Sequence, residues 1–193
     1  MVAAPKLPIR MDLADFLAWS PQDGLIWQLI DGEPVAMAPP SRTHGAIQSE
    51  ICGLLRDHLL AKGSPCFVVT TPGIVPRVQS EHNIRIPDLA VTCSPGEAND
   101  SLLRDPLLAI EILSPSNEAE TWSNVWTYTT IPSLREILVV DSTRIRAELL
   151  RRDEDGNWPE RPALIEAGEI ALPSIGFTSP LHAFYRTTRL GGG

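Results

Sequence analysis

The sequence predicts an α/β fold organised around a mixed sheet. Three observations carry that expectation. Strand-like apolar runs alternate with two amphipathic helix patterns, at residues 41–63 and 117–130. Residues 107–113 are apolar except for Glu111, which reads as a central strand covered on both faces. Asp31-Gly32 stands between two short apolar runs, a hairpin signal near the N-terminus.

The elements follow in order. Residues 1–10 read as a loose tail. Residues 11–19 form a short helical pattern, with Leu13, Phe16 and Leu17 on one side, ended by Ser20-Pro21. Residues 25–29 and 35–37 are the arms of the hairpin. Pro39-Pro40 closes that unit, and Ser41 is placed as an N-cap. His44, Ile47, Ile51, Leu54, Leu55 and His58 then recur at helical spacing up to Gly63, a suitable residue just past a helix end. Strand candidates follow at 66–71, at 73–78 (interrupted by Pro76), at 84–93 (with Pro87 near its start) and at 107–113.

Ser114-Pro115-Ser116 breaks the last of these. The second helix sets Trp122, Val125, Trp126 and Thr129 near one face, where core packing or a dimer contact is expected, and Ile131-Pro132-Ser133 ends it. Residues 135–140 and 145–151 read as a hairpin around Asp141-Ser142-Thr143. Short strands are expected at 163–165 and 170–172, and a last short helix at 178–185. This yields one domain over residues 11–188, with a frayed tail at 189–193.

Composition bounds the function. The chain has 193 residues, 43% of them hydrophobic, which suits a single domain with a real core and excludes disorder. No apolar run approaches the roughly 18 residues of a membrane span, and no secretory leader is evident, so a cytoplasmic protein is expected. Cys52, Cys66 and Cys93 lack metal or disulfide spacing and are expected as buried reduced thiols. The formal net charge of −8 is not the footprint of a strong nucleic-acid binder, although carboxylates that hold a cation contribute to it. The lysines are Lys6 and Lys62 alone, and none follows residue 62.

Two carboxylates draw attention within this pattern. Pro87-Asp88 opens the run Leu89-Ala90-Val91, and Glu111 sits inside Ala109-Ile110-Glu111-Ile112-Leu113. A carboxylate in a buried strand is costly unless it is paired or binds a cation. A divalent ion would relieve two at once, and hard oxygen donors suit Mg²⁺. The alternative is structural: Asp88 capping a turn, and Glu111 paired with an arginine such as Arg85 or Arg135.

Pro87-Asp88, then Glu111 in Glu-Ile-Leu-Ser-Pro-Ser, resembles the Uma2 family (DUF820) of the PD-(D/E)XK, restriction-endonuclease-like superfamily. Further matches are Leu29-Ile30-Asp31-Gly32-Glu33, His44 at the helix start, Tyr128, and Arg135-Glu136 leading into Leu138-Val139-Val140-Asp141. The similarity spans residues 12–185. It implies a restriction-endonuclease-like core with flanking helices and an N-terminal β-hairpin. It also implies a Mg²⁺ or Mn²⁺ site and DNA endonuclease activity. On the matching positions, Asp88 and Glu111 become metal carboxylates, with the Ile112 carbonyl as a further ligand. His44 and Asn124 join them as catalytic candidates, and Gln28, Glu33, Glu120 and Tyr128 support the site. By analogy with other nuclease-fold domains, a homodimer is expected.

Departures from the family pattern matter for the chemistry. Gln28 stands where the family usually has Glu before the Leu-Ile-Asp-Gly-Glu segment. Asn124, four residues before Tyr128, occupies the family's lysine position, and Leu113 stands two residues after Glu111, where the superfamily has its lysine. A lysine there would orient the attacking water and offset developing charge, work that Asn124 cannot do as a cation. Arg85 or Arg42 could supply charge, though not equivalently. The readings are a slow nuclease, a variant using Asn124 to position water, or an inactive nuclease-fold binding or assembly module. His58 and His82 are expected at the surface. Arg144, Arg146, Arg151 and Arg152 form the nearest approach to a basic patch, next to the acidic run Asp153-Glu154-Asp155.

Overall fold

The computed structural model describes residues 10–192 except Ser20, Gln22, Ala98 and Asn99; most of the expected N-terminal tail lies outside the described residues. The chain begins with a short helix, α1 (Leu13–Ala18), capped by the Asp12 side chain. An antiparallel hairpin follows, β1 (Trp27–Ile30) and β2 (Glu33–Ala36), turning at Asp31 and Gly32. Both turn residues take positive φ, the conformation that an Asp-Gly pair tolerates at a two-residue hairpin turn. The long helix α2 (Arg42–Ala61) starts where expected: the Ser41 side chain accepts the His44 N–H. Gly63 takes the left-handed conformation after the helix end.

A six-stranded sheet forms the centre, in the order β3 (Phe67–Thr70), β4 (Leu89–Thr92), β5 (Pro106–Leu113), β6 (Glu136–Asp141), β7 (Ala147–Arg151) and β8 (Ala163–Ile165). Only the β5–β6 pairing is parallel, and helix α3 (Glu118–Tyr128) connects those two strands. The sheet is therefore mixed, as predicted. β5 alternates between two cores. Leu108, Ile110 and Ile112 join Ile47, Ile51 and Leu55 of α2, while Ala109 and Leu113 join Val125 and Tyr128 of α3. Burying each such aliphatic side chain contributes roughly 1.5–3 kcal/mol relative to exposure. Glu111 lies on the α3 side of this alternation, the one charged residue in the strand.

The structure corrects several expectations. The strand expected over 84–93 begins only at Leu89, because Pro87 has no N–H to donate to a ladder. Ile84 instead bridges Leu29 of the hairpin, and Arg85 bridges Ile74. Residues 73–78, preceded by Pro72 and interrupted by Pro76, make isolated bridges at Gly73 and Ile74 rather than a strand. The helix expected over 178–185 is split: β10 (Phe177–Pro180) pairs with β9 (Glu169–Leu172), and a 3₁₀ turn covers Leu181–Tyr185. Phe177 and Ser179 point inward along β10, the alternation of a half-buried strand.

Cys66 and Cys93 are not reduced thiols but are joined as a disulfide, and Cys52 remains free and half-buried. The register explains the pairing: Phe67 lies opposite Thr92 in the β3–β4 ladder, which sets Cys66 across from Cys93. Leu190 packs against the core rather than fraying. His58 is half-buried, its Nε2 3.1 Å from the Ile175 carbonyl, while His82 is exposed as expected. Among the described residues, no helix is long and apolar enough to cross a membrane.

Ser41→Ala removes the acceptor at the start of α2 and is expected to lower stability by about 1 kcal/mol, read from the urea midpoint.

Candidate metal centre

The antiparallel register of β4 and β5 builds the site. Leu89 pairs with Ile110, so the next positions out, Asp88 and Glu111, face each other across the ladder. Both are about 7% exposed. Four contacts fix Asp88, one of them the Thr71 backbone N–H donating to its carbonyl at 3.0 Å. Its Oδ2 accepts the Ile112 N–H at 2.7 Å, and its Oδ1 lies 2.8 Å from His44 Nε2. Its backbone carbonyl accepts the Gln48 side-chain N–H at 2.8 Å. His44 and Gln48 are one turn apart on α2, so the start of that helix clamps the residue that opens β4.

Glu111 is held from the other side. The Tyr128 hydroxyl, at the end of α3, donates to Glu111 Oε1 at 2.6 Å. Neither Asp88 nor Glu111 forms an ion pair with an arginine among the described residues, so the arginine-paired alternative does not describe this site. Burial pushes the Glu111 carboxyl well above the usual carboxylate range, and the Asp88 charge pushes it further; the Tyr128 hydrogen bond opposes both. Burial likewise raises Tyr128 well above an ordinary phenol, reinforced by Glu111.

Apart from Glu33, the remaining candidates fall on one wall. Tyr128, Asn124 and Glu120 are spaced by four along α3, and Asn124 is buried beside Thr121 and Val125. Gln28 of β1 reaches this wall, its Nε2 donating to Glu120 Oε1 at 2.8 Å, while its own buried Oε1 has no partner. Glu33 is exposed at the turn end of the hairpin and shares no hydrogen bond with the carboxylates. Reading the sequence named Gln28 as a supporting residue but missed Gln48, which was signalled only by its i+4 relation to His44.

The arginine cluster and the two tryptophans of α3 are engaged elsewhere. Arg144 is bound to Asp141 and Arg146 to Glu148. Arg151 is bound to Glu136, and Arg152 donates to backbone carbonyls. Trp122 packs against the α3-side core, and Trp126 is 43% exposed.

Among the described residues, no group of three or more His, Cys, Asp or Glu side chains forms a ready protein cage for a metal. The donor set nevertheless suits a hard divalent ion. Mg²⁺ keeps several waters and is commonly held by one or two carboxylates. Here two opposed carboxyl groups, one forced toward its neutral form, share a buried edge with the Ile112 peptide group. A cation between them would reverse that penalty.

A family model for Uma2, described as "Putative restriction endonuclease", matches residues 13–181. The chain is 27% identical over 190 residues to "Uncharacterized protein slr1290" of Synechocystis sp., covering 95% of this chain and 96% of that protein. Its fold is similar to a crystal structure from Anabaena variabilis titled as a putative nuclease belonging to DUF820. The TM-score is 0.74 at 18% identity, over 91% of this chain and 97% of that one.

The raised Glu111 pKa carries a stability sign. The neutral form is preferred in the fold, so Glu111 costs nothing below its unfolded pKa of about 4.3 and destabilises progressively as pH rises toward its folded value. In metal-free buffer, Glu111→Gln is expected to melt above the parent at pH 8 and level with it near pH 4. A parent as stable as the variant at pH 8 contradicts this.

Proposed function

The chain belongs to the Uma2 family, and on that premise we propose that it is a divalent-metal-dependent nuclease hydrolysing phosphodiester bonds in DNA. One juxtaposition supports the reading: two carboxyl groups opposed in a buried sheet, with Glu111 held against its preference for the neutral form. Asp88, Glu111 and the Ile112 carbonyl would hold Mg²⁺ or Mn²⁺. When bound, the ion supplies Lewis acidity toward the phosphodiester and neutralises the carboxylate pair.

The chain's own residues do the positioning. His44 and the Ile112 N–H hold the two Asp88 oxygens in one orientation. The Tyr128 hydroxyl donates to Glu111 and favours its ionised form, the form that binds a cation. Asn124, one turn before Tyr128, offers an amide that can orient a water but brings no charge. By analogy with loss of an oxyanion-hole donor, which costs on the order of 10²–10³ in rate, the enzyme is expected to be slow.

A second reading, an inactive binding or assembly module on the same fold, is favoured by one observation: Asn124 and Leu113 stand where the family and superfamily lysines would be. Metal binding and cutting separate the two readings. The purified protein should bind Mn²⁺ in calorimetry and slowly nick plasmid DNA, and Asp88→Ala should lose both. Binding without nicking selects the module; equal nicking by the variant marks a contaminant.

The Tyr128 contact gives an independent check. Tyr128→Phe removes a hydrogen bond to the ionised form of Glu111 and so raises that pKa further. The pH midpoint of Mn²⁺ binding is expected to move upward, with saturation still reached at high pH. An unmoved midpoint would remove Glu111 from the metal site.

A further inference from the structure

The site lacks a lysine, yet a cation is buried beside it. Arg85 precedes Asp88 by three residues and is 4% exposed. Its backbone is locked on one side by two hydrogen bonds exchanged with Ile74, at 2.8 and 2.9 Å. On the other side, Leu29 and Ile84 exchange two bonds at 2.9 Å, which sets Gln28 opposite Arg85 across that bridge. The main chain around Arg85 is therefore held on both sides, while no salt bridge holds its side chain among the described residues.

The guanidinium is poorly satisfied. Nε is buried without a partner, and Nη1 reaches only the Leu29 carbonyl, at 3.5 Å. No carboxylate is ion-paired with it among the described residues. Glu120, whose charge acts on it through space, spends its Oε1 on Gln28. The Gln28 Oε1 atom opposite is also buried without a partner. Two orphaned polar atoms thus lie on facing positions at the edge of the carboxylate site. An arginine remains charged in proteins, so burying it this way is costly unless an anion completes it. Gln28, opposite Arg85, donates to Glu120 on α3, the helix whose Tyr128 hydroxyl touches Glu111, so this edge and the carboxylate site share one wall.

We propose that Arg85 is the phosphate-binding cation of this site, its guanidinium donating to oxygens of a nucleic-acid phosphodiester. The planar fork of donors matches phosphate geometry. This rests on the nucleic-acid reading above but not on metal binding, and the test separates them.

Binding of a fluorescently labelled DNA duplex is measured by anisotropy in EDTA, and again in Ca²⁺, over a salt series. Each phosphate contact contributes about 0.9 to the slope of log K against log salt. Arg85→Gln is expected to bind at least about 10-fold more weakly, with a slope shallower by about 1. Arg56→Gln, which removes an exposed arginine paired with Asp57, should keep the parental slope in EDTA. Arg85→Lys keeps the charge but loses the fork, so it should keep the slope and bind several-fold more weakly. Melting curves check folding; if Arg85→Gln does not fold, parental affinity in Arg85→Lys overturns the proposal. Parental affinity and slope in Arg85→Gln overturn it directly, as does a parent that binds no duplex. Lost nicking and Mn²⁺ binding with the slope change intact would instead remove the metal reading and leave Arg85 standing.

Discussion

Everything at the centre of this molecule depends on one register. Leu89 opposite Ile110 forces Asp88 opposite Glu111, and a shift of one residue along either strand would turn one carboxylate to the far face of the sheet. That shift would also put Ile110 and Ile112 where Glu111 now lies, against Tyr128. The hydrophobic alternation of β5 therefore protects the polar pair. Leu108, Ile110 and Ile112 are anchored against α2, so Glu111 has nowhere else to point. A costly arrangement of two carboxyl groups is kept in place by the cheap burial of three aliphatic side chains.

The two helices then divide the work. α2 holds Asp88 through His44 and Gln48, and α3 holds Glu111 through Tyr128. Because each carboxyl group is gripped from a different layer, the sheet alone sets their facing and the helices set their orientation. The Asp88 clamp reaches both the side chain and the carbonyl of one residue, and the Thr71 N–H donates to the same carbonyl, so the backbone just after Pro87 is held by α2 and by the end of β3 together. Pro87 is compatible with this position because no ladder bond is asked of its missing N–H.

How much of this was legible in the sequence follows from how local each signal is. α2 was readable end to end, since Ser41, the apolar stripe and Gly63 are all within one helix. The hairpin was readable from Asp31-Gly32, and Glu111 from the apolar run around it. The Asp88–Glu111 facing was not: alternation says which face a strand residue takes, but only pairing says which residue it meets. The same gap hid the Cys66–Cys93 disulfide, whose spacing is uninformative until Phe67 is known to face Thr92. Residues 84–93 misled because their composition is strand-like while Pro87 divides them between two partners, the hairpin before and β5 after. Phe177–Pro180 misled for the opposite reason, being too short to show a period.

That division at Pro87 has a consequence for charge. A continuous strand from Ile84 would leave Arg85 in the β5 ladder, its side chain set by the pleat alone. Instead the segment leaves the main sheet, bridges Leu29 and Ile74, and brings Gln28 and the whole hairpin onto the α3 wall. The N-terminal hairpin is thus not an ornament on the nuclease core. It is the element that seals one side of the carboxylate site and determines the surroundings of its buried cation. An acidic protein, with a net charge of −8, has little long-range attraction to offer a polyanion. Under the proposed nucleic-acid reading, recognition of a phosphate would have to come from short-range donors, and a buried arginine whose backbone is tied to Ile74 is a donor of that kind.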